Sequence, residues 1–397
     1  MSEDFTYLDW AATTPLRPEV LASMIEAAPL FANPSSVHTS GREVRELVDA
    51  ARATVASAIG ADPKEIIFTS GASESCNLAI KGLVFEHLRH PKLDGKPHIV
   101  TSAFEHHAVL EPIEWLEKLG FIEATIVRPD DQGIVHPEAI AEALQPNTIL
   151  VSVMWVNNEI GTIQPLAEIA AVIAQANQGR EVPILFHTDA TQGIPYLEGT
   201  VADLRADMLS LSGHKLGGPK GIGVLYRAKQ ARIQPLIHGG SHERGFRAGT
   251  ENFLSIVGLA KAMEITLADR PAEFARLTEL RRRFEETVLR EIPGSDINGH
   301  PTLRSPHISN LFFADIEAEA ILTALDLSGI AASSGSACTS EELGPSHVLM
   351  SICDDQHRAD GSLRFSFGWT TTDEQLDKAL EVLRIYVPKL RAIAGRV

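Results

Sequence analysis

Seven short apolar runs, separated by stretches of helical periodicity, limit what this chain can fold into more than any other feature. They lie at residues 65–69, 98–102, 124–128, 148–154, 183–188, 207–212 and 223–227. Helical patterns at 44–59, 137–144 and 166–176 fall between several of them. Strands that are apolar throughout, alternating with helices, predict an α/β architecture: a mainly parallel seven-stranded sheet with helices on both faces. Beyond it, a helix over about 271–291 carries Phe274, Leu277, Leu280, Phe284 and Val288 on one stripe. Strand-like 308–313, helical 318–327, strand-like 363–367 and a final helix predict a smaller α+β domain. The expected division is a large domain over 16–264 and a small one built from 1–15 and 265–397. Arg281-Arg282-Arg283 on the long helix reads as a solvated face.

In open α/β sheets, ligands bind beyond the carboxyl ends of the strands, so the residues following each run carry the functional information. The first run leads into Thr69-Ser70-Gly71-Ala72-Ser73-Glu74-Ser75, which suits either an anion site at a helix N-terminus or ordinary capping. The second leads to Glu105-His106-His107. The fourth leads to Asn157-Asn158-Glu159-Ile160-Gly161, and the fifth to His187-Thr188-Asp189-Ala190-Thr191-Gln192. Asp189 follows a strongly apolar run and needs a positive partner unless it caps the next helix. The sixth run delivers His214 and Lys215 into a glycine-rich turn, where partial desolvation favours a neutral amine able to condense with a carbonyl. Pyridoxal phosphate needs a reactive lysine, a carboxylate against its pyridinium nitrogen, a phosphate site and a ring-facing group. Lys215, Asp189, the 71–75 loop and His106 supply these four. A nucleotide phosphate loop at 217–221 is disfavoured because the Gly-Lys-Ser/Thr ending is missing.

Composition narrows the class. A chain of 397 residues that is 44% hydrophobic has material for two domains. The net charge of −17 argues against direct nucleic-acid or membrane-surface binding. No apolar run reaches spanning length, and the acidic Met1–Phe5 start lacks the apolar core of a secretory leader. Three widely spaced cysteines, Cys76, Cys338 and Cys353, do not form a disulfide framework and point to a reducing, cytoplasmic setting. Cys76 sits in a helical pattern and is expected in the core. Cys353 reads as part of a polar loop.

In order along nearly the whole chain, the sequence resembles the cysteine desulfurases of the NifS/IscS type, within the class V aminotransferase-like, fold-type I pyridoxal-phosphate enzymes. The segments that carry the resemblance are Leu8–Thr14, Asn33–Ser36, Thr69–Ser75, Glu105-His106, Val156–Gly161, His187–Gln192, Ser212–Lys215, Glu243–Gly245 with Arg247–Asn252, Ser333–Ser340 and Arg364–Ser366. The resemblance implies that Lys215 bonds the cofactor, Asp189 faces its pyridinium nitrogen and His106 stacks on its ring. Asn158 and Gln192 would bond near the ring hydroxyl. Ala72, Ser73, Ser212 and His214 would hold the phosphate, and Thr250 would reach the phosphate of a second subunit, implying a homodimer. Arg364, with Asn158, would bind the carboxylate of L-cysteine. Cys338, in a Ser/Gly-rich segment, would take the sulfur as a persulfide and pass it to an acceptor protein, an Fe–S scaffold or a thiolation enzyme. No metal is implied. Rival expectations are a selenocysteine lyase or another class V enzyme, and a non-catalytic pyridoxal-phosphate-binding partner protein. Trp10 and Trp369 stand where polar or basic residues are frequent and are expected to reshape the site's entrance.

Overall fold

The computed structural model describes residues 5–93, 95–334, 344–393 and 395. Its strands in chain order are β1 (Thr6–Tyr7), β2 (Ile66–Thr69), β3 (His98–Ser102), β4 (Glu123–Val127), β5 (Thr148–Ser152), β6 (Leu185–Asp189), β7 (Met208–Ser212), β8 (Gly223–Arg227), β9 (Ser295–Ile297), β10 (Ile308–Phe313), β11 (Ile330–Ala331) and β12 (Ser362–Ser366). The seven expected strands are the seven of one sheet, in the order β2-β8-β7-β6-β5-β3-β4. All run parallel except β8, which is antiparallel to both of its neighbours.

Alternation along each strand splits its side chains between two cores. Phe68, Val100, Val151, Phe186, Leu211 and Val224 point into one cluster, while Ile67, Ile99, Leu150, Leu185, Met208 and Leu225 join the cluster on the opposite face. Both faces are therefore dry, at roughly 1.5–3 kcal/mol for each large side chain buried. β5 ends at Ser152, short of the expected 154, although the Val153 and Trp155 amides still reach the His187 and Asp189 carbonyls of β6.

The long helix runs over Phe253–Glu291, so Pro271 lies inside it and does not begin it. A proline at that position suggests an N-terminus from sequence, but burial of both halves overrides the local signal. Ile256, Leu259 and Met263 pack into the core of the large sheet, whereas Leu277, Leu280, Phe284 and Val288 pack into a second core. That second core lies against the antiparallel sheet β12-β10-β9 and the helices Ala318–Leu327 and Asp373–Ile393. The expectation for the arginine run is corrected at one position. Arg281 is buried and donates to the Ser305 carbonyl at 3.0 Å, while Arg282 and Arg283 pair with surface carboxylates. Burial lowers the pKa of Arg281 to about 10.

The pair β1–β11 has no sequence signal, being two residues long in each strand. It draws the N-terminal segment beside the C-terminal part of the chain and lays Asp9–Thr14 across the carboxyl ends of the large sheet. Trp10 lies beneath that strap, 2% exposed, its ring edge-on to Trp369 at 4.6 Å between centroids. Neither tryptophan lines the cavity described below, which corrects the expectation that they reshape its entrance. Their bulk instead supports the strap from behind.

Candidate active site

The carboxyl ends of β2, β3, β5, β6 and β7 converge on a cavity of about 470 Å³. Its walls bring together Ala72, Ser73, His106, Asn158, Asp189, Gln192, Ser212, His214, Lys215 and Arg364. Thr250 does not line it; that residue is exposed, on a segment fixed by an Arg247–Glu74 contact of 3.0 Å. Cys338 lies outside the described residues.

Lys215 is aimed by its local fold. β7 stops at Ser212, a single 3-10 turn covers Gly213–Lys215, and Gly217 at φ +75° turns the chain away where a Cβ would lie 2.7 Å from Arg17 and Trp369. The Lys215 Nζ donates to the carbonyls of Ala11 and Ala12, the latter at 2.7 Å. Its amine thus rests on the N-terminal strap, with both acceptors supplied by backbone.

Asp189 ends β6 and is 6% exposed. Its Oδ1 accepts the Thr191 amide at 2.9 Å, and no lysine or arginine among the described residues forms an ion pair with it. A buried carboxylate that faces a cavity without a cation suits a protonated ring nitrogen there. His106 caps the helix His107–Lys118 by accepting the Ala108 amide at Nδ1, 3.0 Å away, so its neutral ring carries the proton on Nε2. Burial lowers the pKa of His106 more than Asp189 raises it.

The wall suited to an anion is the start of the helix Ala72–Arg89, capped by Gly71, with first-turn amides that the helix leaves unpaired. Ser73 and Ser212 add hydroxyls. His214, lowered to about 4 by burial and then by Lys215 and Lys220, is neutral and bonds Thr13 Oγ1 at 3.0 Å through Nδ1. This wall is closely backed: a Cβ on Gly223 of β8 would sit 2.5 Å from the Gly71 Cα. Gly223→Ala is therefore expected to displace Gly71, costing about 1–3 kcal/mol of stability and weakening phosphate binding several-fold. Thermal unfolding with and without added pyridoxal phosphate measures both effects; an unchanged midpoint in each would contradict the contact.

Arg364 of β12 is 2% exposed, donating to the Asn158 carbonyl at 3.0 Å and to Asp9 Oδ1 at 2.8 Å. Gln192 donates to the Ala11 carbonyl at 2.9 Å and meets His307 Nε2 at 3.1 Å, so much of its hydrogen bonding is already used. Sequence reasoning missed His307, which stacks on Tyr196 at 3.7 Å, and it missed Asp9 and Glu105. Glu105 is fully buried, bonded to Ser102 Oγ and the Met154 amide, and burial raises its pKa to about 8. A glutamate directly before the expected ring histidine was the available signal. Cys76 lies in the core as expected. Cys353 ends the helix His347–Cys353 and is not in a loop, its thiol donating to the Leu349 carbonyl at 3.0 Å.

The model of the aminotransferase class-V family matches residues 6–379. Cysteine desulfurase IscS of Dictyoglomus turgidum is 48% identical over 389 residues, covering 98% of this chain and 96% of that protein. Cysteine desulfurase IscS of Methanosarcina thermophila is 46% identical, covering 97% and 92%. Among solved structures, a NifS-like protein superposes with a TM-score of 0.89 at 32% identity, covering 97% of this chain and all of the other. SspA in complex with cysteine superposes at 0.79 with 37% identity, covering 91% and 98%.

Proposed function

The chain belongs to the class-V aminotransferase family, and from that premise we propose how its cavity works as a cysteine desulfurase. The enzyme converts L-cysteine to L-alanine and releases the sulfur for transfer. One observation carries the assignment of roles: an amine, an uncompensated buried carboxylate, a helix N-terminus and a buried guanidinium face one cavity.

Pyridoxal phosphate, held there, supplies the carbonyl that captures the amino group and a ring that accepts electrons from the substrate Cα. Ala72, Ser73, Ser212 and His214 would hold its phosphate, Asp189 would keep its ring nitrogen protonated, and His106 would cover the ring. Asn158 and the remaining capacity of Gln192 would serve the ring hydroxyl. Arg364 takes the substrate carboxylate as a fork, helped by Asn158. Lys215 would move the proton from Cα. The Nε2 proton of His106 is available near the substrate thiol. Cys338, as thiolate, bonds to the substrate sulfur as the Cβ–S bond breaks. Cβ takes a proton to give alanine, and the sulfur stays on Cys338 as a persulfide without any outside oxidant. A sulfur-acceptor protein, an Fe–S scaffold or a thiolation enzyme, then receives it.

Thr250 reaches the phosphate of a second copy, giving a homodimer. Supporting this, Thr250 is exposed, and Ile25, Phe31 and Val37 expose apolar surface of 62%, 90% and 89%. The large domain spans 16–264 and the small one 1–15 with 265–397, in a cytoplasmic setting. No helix among the described residues is long and apolar enough to cross a membrane. The test is product analysis of the holoenzyme with L-cysteine, with and without a thiol acceptor. Alanine and sulfane sulfur in equal amounts are expected. A 2-oxo acid in place of alanine, turnover confined to L-selenocysteine, or no turnover at all would overturn the assignment.

A further inference from the structure

Asp9 and Arg364, the latter lining the cavity, form an ion pair at its wall that the reaction does not require. The guanidinium is 2% exposed at its side chain and the carboxylate 18%, with 2.8 Å between Nη2 and Oδ1. Arg364 Nη1 is spent on the Asn158 carbonyl, and Nε has no partner among the described residues. A buried guanidinium without a counter-charge is costly, and Asp9 provides one from within the chain. The backbone around Asp9 is fixed: the Ala11 amide donates to Ser366 Oγ at 2.8 Å, and the Ser366 amide to the Leu8 carbonyl at 2.8 Å. The carboxylate is therefore the less enclosed member of the pair and the one able to turn away without unpicking the strap. Tyr7, the other titratable group beside it, is raised to about 12 by burial and then by Asp9, so it stays a neutral phenol.

We propose that Asp9 is a resident carboxylate occupying the seat on Arg364 that the substrate carboxylate takes, and that it sets the affinity for amino-acid substrates. This rests on Arg364 being the carboxylate-binding residue. An incoming L-cysteine exchanges one carboxylate for another on the same fork, so part of its binding free energy is used to displace Asp9. The arrangement keeps the guanidinium neutralised between turnovers. It also blocks stray inorganic anions, which can offer no amine to the cofactor in return.

The experiment uses pyridoxal-phosphate-loaded enzyme, titrated with L-alanine and with L-alaninol, which lacks the carboxylate, and followed by cofactor absorbance. Wild type binds L-alanine more tightly than L-alaninol if Arg364 reads the carboxylate. If the Asp9-bound state prevails about ten to one, Asp9→Asn tightens L-alanine about tenfold and leaves L-alaninol unchanged. The same variant becomes sensitive to acetate, which competes with L-alanine. Asp9→Ser gives the same pattern and guards against a folding defect peculiar to one substitution. Equal wild-type affinities for the two ligands would remove the reading of Arg364 itself. Discrimination in wild type with unchanged or weakened L-alanine binding in both variants would overturn the resident-carboxylate role alone.

Discussion

Replacing Lys215 by alanine is expected to lower turnover of L-cysteine by more than about 10⁴-fold while leaving the chain folded. In the role proposed for it, the amine does two things that no neighbour repeats: it would bond the cofactor covalently and move the Cα proton. Lys220 also lines the cavity, but it is an exposed residue five positions along the turn. His106, its Nδ1 committed to the Ala108 amide and its pKa lowered by burial, is a poor substitute base. The cost to the fold among the described residues is modest: the Ala11 carbonyl keeps its bond from Gln192, and the Ala12 carbonyl loses the Lys215 donor, at about 1–3 kcal/mol if it stays dry. The phosphate and ring contacts proposed above do not involve this amine, so the variant is expected still to take up pyridoxal phosphate and to show the absorbance of the free aldehyde. Added small primary amines should recover part of the activity, because they restore a proton carrier of the right kind. Residual activity within tenfold of wild type would displace Lys215 from its role.

The seven strands of the large sheet are legible because each is an apolar run bounded by turn residues, and being buried on two faces leaves little room for other patterns. The chemistry at their ends is legible for the same reason: Asp189 after Phe186 and Lys215 after Leu211 are polar groups that a core would reject without a use. Asp9 was not legible. It follows a strand of two residues whose pairing with β11 depends on chain more than three hundred residues away. Arg281 was misread because an arginine run looks solvated until a neighbouring carbonyl, here that of Ser305, gives one member a partner indoors. Trp10 misled in the opposite sense. A large aromatic beside a site motif suggests a wall, yet Gly368 leaves room for its ring behind the strap. Local pattern reports periodicity and turns; it does not report which distant residue supplies a hydrogen bond or a gap.

Replacing Cys338 by serine is expected to reduce alanine formation by about 10³-fold or more while cofactor binding and L-cysteine binding persist. Cys338 itself lies outside the described residues, but both flanks of the segment that carries it are described. On one side, Ser333 is tied to Arg364 by two backbone hydrogen bonds of 3.1 and 2.7 Å. On the other, Ser346 donates to Glu159 Oε2 at 2.5 Å, and His347 meets the carbonyl of Glu105, the residue before His106. Both flanks are therefore anchored beside residues of the cavity. The two other cysteines are poor candidates. Cys76 is fully buried, and burial followed by the charge of Asp189 raises its thiol well above the usual range, away from the nucleophilic thiolate. Cys353 spends its thiol on the Leu349 carbonyl within its own helix. Without an accepting thiolate the Cβ–S bond has no partner to receive its sulfur, and the substrate stays bound but unconverted. Mass spectrometry of wild type treated with one equivalent of L-cysteine should find the added sulfur on the peptide containing Cys338. Sulfur on Cys353, or alanine released by the serine variant at the wild-type rate, would move the nucleophile elsewhere.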